Sequence, residues 1–193
     1  GYQIPERLWA GERHRDIDAV YLTHTHADHA FGLVPLLTRY WEERRTRPLT
    51  VIGHRGVQSF VKKAMSLGFP GMLERLAFPL EFPVCRPGRT LEWRDMVFKT
   101  AKSQHGVTNL SVRIEVPARR GTRTLRCAFS GDGAITNQTE ALYDGVDVLF
   151  HELFSVRRKV PGHTNLTELR AMLRRISVDR VVVSHHSRRY KDS

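Results

Sequence analysis

Five short apolar runs in this chain each stop on a histidine or an aspartate, and that recurrence limits both fold and chemistry. His24 follows Ala19-Val20-Tyr21-Leu22-Thr23, and His105 follows the run from Val97. Asp132 follows Ala128-Phe129-Ser130-Gly131, His151 follows Val148-Leu149-Phe150, and His185 follows Val183-Ser184. Runs of this length and composition read as strands. Between them lie stripes of helical period: Leu33, Leu36, Leu37, Tyr40 and Trp41, then Val57, Phe60, Val61, Ala64 and Met65. Strands alternating with amphipathic helices predict an α/β layer architecture, whose sites gather at strand C-terminal ends. Core histidines have no reason to recur there, so the five positions point to one site.

The remaining elements follow from the same signals. Residues 17–23 and 49–52 read as strands, and 68–89, rich in Gly, Pro and Phe, as an irregular connection. Thr90 to Trp93 and Val97 to Ala101 flank a turn at Arg94-Asp95. Leu110, Val112, Ile114 and Val116 alternate with Ser111, Arg113 and Glu115, the pattern of a half-buried strand. Residues 117–121 then turn into a partner strand over 122–129, and 146–150 is another strand. Asn165 and Glu168 form a capping pair for a helix through Leu166, Leu169, Met172, Leu173 and Ile176, and Val181 to Val183 closes the series as a buried strand.

Composition sets outer bounds. With 193 residues, 40% hydrophobic and 26% charged, the chain is expected to form one globular domain over 1–193. No run of about 18 apolar residues is present, so no membrane span is expected. The opening residues lack the apolar core of a secretory signal, and Cys85 and Cys127 read as buried free thiols, which suits a cytoplasmic protein. The net charge of +11 comes from scattered arginines, in groups such as Arg44-Arg45, Arg157-Arg158-Lys159 and Arg174-Arg175. Each group alone reads as a solvated face; only their sum leans toward an anionic partner.

The sharpest signal is His24-Thr25-His26-Ala27-Asp28-His29. Residues two apart in an extended segment point the same way, so His24 and His26 can share one ion. Asp28 and His29, at the start of the Leu33 helix, can turn toward a second. Imidazole and carboxylate donors suit zinc, with manganese or iron as alternatives. His105, Asp132 and His185 complete the set, and the small neighbours of Asp132 in Ser130-Gly131-Asp132-Gly133 let its carboxylate approach two ions at once. His14 and His54 read as structural or exposed.

This run, followed by Phe31-Gly32-Leu33, resembles the signature motif of the ribonuclease Z group of the metallo-β-lactamase superfamily. Further landmarks of that group recur in order: Gln104-His105-Gly106, Phe129-Ser130-Gly131-Asp132, His151-Glu152, His163-Thr164 and Ser184-His185-His186-Ser187-Arg188-Arg189-Tyr190. The resemblance implies the αββα sandwich of that superfamily and a dinuclear zinc phosphodiesterase acting on RNA, tRNA 3′ ends among its substrates, or on a smaller phosphodiester. It places His24, His26 and His105 on one ion and Asp28, His29 and His185 on the other, with Asp132 bridging. Two ions so placed lower the pKa of a shared water and neutralise charge on the phosphate. The resemblance further implicates Asp28, Glu152 and His163 in catalysis, the last two in proton transfer to the leaving group. Bracing of ligand imidazoles is the alternative role for that pair. Ser187, Arg189 and Tyr190 become substrate-binding candidates, His186 a residue behind a ligand or on the surface, and a homodimer the expected assembly.

Three departures qualify the match. The group's fold starts with strands ending in an Asp-x-Gly-like turn, which have no counterpart ahead of residue 16, so the domain is expected to be incomplete at its N-terminus. Only 27 positions separate His105 from Asp132, where ribonuclease Z enzymes carry a long arm that grips tRNA. The group's His-Glu-Ala-Thr run reads His151-Glu152-Leu153-Phe154. Hydrolysis of another ester by the same ions, a sulfate ester or lactone, is therefore the second reading. A basic nucleic-acid-binding protein with a vestigial metal site is the third.

Overall fold

Apolar residues three and four apart make the first layer. Leu33, Leu36, Leu37 and Tyr40 fall on one face of a helix, as do Val57, Val61 and Met65, and all seven are buried. In the computed structural model, which describes residues 4–118 and 123–187, the chain divides into two units, Gly1–Val84 and Cys85–Ser193.

The first unit holds α1 (Ile4–Ala10), a short 3₁₀ turn, β1 (Ala19–Leu22), the single turn α2 (Ala27–Ala30), α3 (Leu33–Glu42), β2 (Leu49–Gly53), α4 (Val57–Gly68) and β3 (Leu80–Glu81). Its sheet is parallel throughout, in the order β1-β2-β3. The central strand β2 is buried along its whole length, as expected of a parallel strand covered on both faces. Its core joins the α3 and α4 stripes to Leu22, Leu49, Val51, Met72 and Phe78. His14 is structural: its Nε2 lies 3.0 Å from a Glu43 carboxylate oxygen, and Tyr40 donates its hydroxyl proton to the His14 carbonyl. Burial works to raise the Glu43 carboxyl, but hydrogen bonds from His14 and Arg39 outweigh it and hold the group below its ordinary range.

The second unit carries β4 (Thr90–Trp93), β5 (Met96–Lys102), β6 (Leu110–Val116), β7 (Leu125–Phe129), α5 (Asn137–Tyr143), β8 (Val146–Glu152), α6 (Leu166–Leu173) and β9 (Val178–Ser184). The sheet order follows the chain. Pairings are antiparallel from β4 to β7 and parallel from β7 to β9. Because β5 and β7 both oppose β6, strands β5, β7, β8 and β9 all run the same way, and their C-terminal ends share one edge. The parallel steps need helical crossovers, which α5 and α6 supply. Each opens with a reciprocal capping box, Thr136 with Thr139 and Asn165 with Glu168. Asn165→Ala should lower stability by about 1 kcal/mol, a shift of about 2–4 °C in the melting midpoint. An unchanged thermal melt would show that the cap does not hold α6.

Several expectations need correction. Trp41 is 38% exposed, because the turn of α3 that carries Tyr40 inward leaves its neighbour outside the stripe. Ile176 lies beyond α6. Val182 and Val183 are 37% and 44% exposed, since β9 is an edge strand rather than a buried one. Strand β6 does not alternate at its start. Ser111 is buried beside Leu110 and Val112, where it donates to the Ser130 carbonyl and accepts from the Tyr143 hydroxyl. The connection over 68–89 contains a 3₁₀ turn and β3. Residues 119–122 of the expected hairpin turn lie outside the described residues.

Candidate metal centre

Each unit gathers donors at its strand ends. In the first unit, His24 lies two residues after β1 and His26 occupies the extended cap position ahead of α2. Their ring centroids are 4.8 Å apart, and the His29 ring is 4.2 Å from that of His24. His24 is fully buried, with its Nδ1 3.1 Å from the Thr23 hydroxyl. Asp28 and His29 sit on the separate turn α2 rather than at the start of α3, and the Asp28 carboxylate lies 3.4 Å from His29 Nε2. A one-turn helix between two histidines and a long helix has no periodic signature, which is why spacing did not reveal it.

In the second unit, the shared edge brings His105 from β5, Asp132 from β7, Glu152 from β8 and His185 from β9 into one cluster. Asp132 Oδ2 lies 3.3 Å from His185 Nε2 and 4.0 Å from His105 Nε2. His105 Nδ1 donates to the Gly162 carbonyl at 2.9 Å; a carbonyl only accepts, so Nδ1 carries a proton and Nε2 is the nitrogen turned toward Asp132. That arrangement is the one a metal-binding imidazole adopts. Ligand atoms of Asp132, Glu152, His163 and His185 all fall within 4.8 Å of one another, a donor set of oxygen and imidazole nitrogen that fits a divalent ion such as zinc. His185 reaches its place with φ at 57°, a left-handed backbone that costs about 1 kcal/mol or more and clusters at functional sites.

Glu152 is almost fully buried and heavily engaged. It accepts from the Gly133 N–H at 2.6 Å, the Thr164 N–H at 3.2 Å and His163 Nδ1 at 2.8 Å, with His185 Nδ1 3.5 Å away. Burial pushes its carboxyl upward, yet the bonds from His163, His185 and Gly133 prevail over burial and the nearby Asp132 charge, and the group stays ionised. Phe154 stacks on the His163 ring at 4.1 Å and 18°, fixing its plane. His186 Nδ1 donates to the Leu153 carbonyl, and the Ser187 N–H to the Phe154 carbonyl. Arg189 and Tyr190 lie outside the described residues.

One strand-end residue of the second unit does not join its cluster. His151 is inside β8, buried against Tyr143, with Nδ1 donating to the Glu152 carbonyl; burial lowers its pKa, so it packs as a neutral core group. Sequence reasoning also missed the polar frame behind Asp132. Ser103 donates to the Asp132 carbonyl, Asn109 donates to Ser103 and to the Ser130 carbonyl, and the Asp132 N–H reaches the Asn109 side chain. Isolated Ser and Asn residues at strand ends have no spacing to announce them. Gly133 completes the frame: φ is 131°, and a Cβ there would collide with the Ser103 hydroxyl and lie 2.7 Å from its Cβ. Gly133→Ala should therefore cost roughly 1–3 kcal/mol and lower metal content, read by thermal melting and elemental analysis. Unchanged values of both would show that the loop tolerates displacement.

A family model described as the β-lactamase superfamily domain matches residues 3–186, across both units. The chain belongs to the β-lactamase superfamily. It is 27% identical to ribonuclease Z of Lacticaseibacillus casei over 230 aligned positions, covering 92% of this chain and 70% of that one. Ribonuclease Z of Shouchella clausii is 24% identical, with 90% and 70% covered. The human short-form tRNase Z superposes with a TM-score of 0.76 at 19% identity, over 99% of this chain and 81% of its own. The chain thus has the metallo-β-lactamase fold and is a hydrolase of that superfamily. Among the described residues no helix is long and apolar enough to cross a membrane.

Proposed function

We propose that the two units form one catalytic domain, a dinuclear zinc phosphodiesterase that cleaves RNA in the manner of ribonuclease Z. His24, His26 and His105 would hold one ion and Asp28, His29 and His185 the other, with Asp132 available to both. The observation that carries this reading is Asp132 lying between His105 and His185 with its backbone locked by Ser103 and Asn109. Bound there, two divalent ions would supply an activated water at neutral pH and offset charge on the phosphate. The protein's own groups do the rest. Glu152 holds His163 by Nδ1, leaving Nε2 to pass a proton to the leaving oxygen, and Phe154 keeps that ring in plane. Ser187, Arg189 and Tyr190 bind the substrate. The free thiols of Cys85 and Cys127 support the cytoplasm as its compartment.

RNA is favoured over a sulfate ester or lactone by the relatives named ribonuclease Z and by the net charge of +11. Among the described residues, β6 and β7 fill the interval between His105 and Asp132, and remote contacts are what raise turnover of a large substrate. Without an arm in that interval, such contacts come from surface cations, which salt screens. Cleavage of precursor tRNA should therefore fall about tenfold or more between 50 and 200 mM salt, while a chromogenic phosphodiester is barely affected. Equal salt dependence of the two, or turnover of a sulfate ester in preference to both, would contradict the RNA assignment.

A further inference from the structure

The segment between Glu152 and His163 carries Arg157-Arg158-Lys159, and its two ends are tied into the candidate centre. At its base, Phe154 N–H donates to the Thr164 carbonyl and Leu166 N–H to the Ser155 carbonyl, so Ser155 pairs with Asn165 and the chain returns to its starting point. Phe154 lies on His163, and Gly162, near the returning end, accepts from His105. At its tip, Arg158 N–H is held by the Ser155 hydroxyl at 2.9 Å, and His163 N–H donates to the Val160 carbonyl. The excursion is thus braced at base and tip.

Its cations are placed outward. Arg157 and Arg158 are exposed and, among the described residues, neither side chain meets an acid, whereas Lys159 is 3.5 Å from Glu168. Two other exposed arginines of this unit are engaged within the protein, Arg175 with Glu140 and Arg123 with Asp147 and Asp179, whereas exposed Arg170 and Arg174 on α6 lie away from the Phe154–His163 stack and serve as the comparison pair. Arg157 is three positions beyond Phe154, so its backbone lies within about 10 Å of the residue that stacks on His163.

We propose that this loop is a backbone clamp, in which Arg157 and Arg158 grip RNA phosphates beside the one being cleaved. Its ligand class rests on the phosphodiesterase reading. Arginine suits the task because its planar fork takes a phosphate bidentately and keeps its charge at any working pH. A clamp anchored beside His163 also supplies orientation, which scattered surface charge does not.

The test uses the full chain. Binding of a fluorescein-labelled single-stranded RNA is followed by anisotropy in chelator, so that no cleavage occurs, across 50 to 200 mM salt. Replacing both residues (Arg157→Ala with Arg158→Ala) should weaken binding about tenfold and reduce the salt slope by about 1.4, two phosphate contacts on a single strand. Lysine at both positions should restore most of the slope. Turnover of bis(p-nitrophenyl) phosphate with zinc should stay within twofold of the parent. A slope left unchanged, no binding by the parent, or an equal loss from Arg170→Ala with Arg174→Ala on α6 would each overturn the clamp. Failure of the parent to hydrolyse any phosphodiester would overturn the catalytic reading instead, and the binding measurement would still decide the loop.

Discussion

Asp132→Ala should remove most of the second-ion occupancy and lower phosphodiester turnover by about a thousandfold or more. The magnitude follows from the role. Metal ions contribute several kcal/mol of charge stabilisation in the transition state, and each 1.36 kcal/mol is a factor of ten. Asp132 is nearly fully buried, and its carboxylate faces His105 at 4.0 Å and His185 at 3.3 Å, the placement of a ligand shared between them. Ser103 and Asn109 hold its backbone, not its carboxylate, so the loop should keep its shape in the variant and the melting midpoint should change little in chelator. Elemental analysis and turnover are measured on the same preparation. Two ions retained, with turnover intact, would show that Asp132 is not the shared ligand.

His163→Ala should separate turnover from metal. General acid–base groups contribute about a hundredfold to ten-thousandfold, and loss of turnover in that range is expected while both ions remain. The geometry argues for a positioned proton donor: Glu152 takes Nδ1, Phe154 covers one face, and the side chain is partly exposed. His163 also falls within the second unit's donor cluster, so the alternative is a real one. Parallel loss of an ion and of turnover would make His163 a ligand. A phosphodiester with a good leaving group, such as p-nitrophenolate, should lose far less in this variant than one with an alkoxide, because the former needs no proton. Equal losses on the two esters would count against proton donation.

Much of this was legible in residue order. The strands ending at His24, His105, Asp132 and His185 could be read from apolar runs, and the Asn165–Glu168 cap from its spacing. Periodicity failed where tertiary context decides burial. Val181-Val182-Val183 has the composition of a core strand, but β9 takes the sheet edge, and nothing in three valines says how many neighbours they will have. Ser111 reads as a solvent-facing position and is buried because Tyr143 and the Ser130 carbonyl satisfy its hydroxyl. His151 followed the rule of strand-end donors, but β8 continues through it to Glu152, so the ring turns into the core. The site's polar frame was illegible for a related reason. Ser103, Asn109 and Gly133 matter through contacts between separate strand ends, and no local pattern marks such contacts.

The central claim is that one domain built from both units holds two ions for phosphodiester hydrolysis. Metal content of the intact protein, determined by elemental analysis after removal of loosely bound ions and paired with turnover of bis(p-nitrophenyl) phosphate, tests it most directly. The account predicts two ions per chain and turnover that vanishes on chelation and returns with zinc. One ion or fewer per chain, or turnover that survives complete chelation, would contradict it.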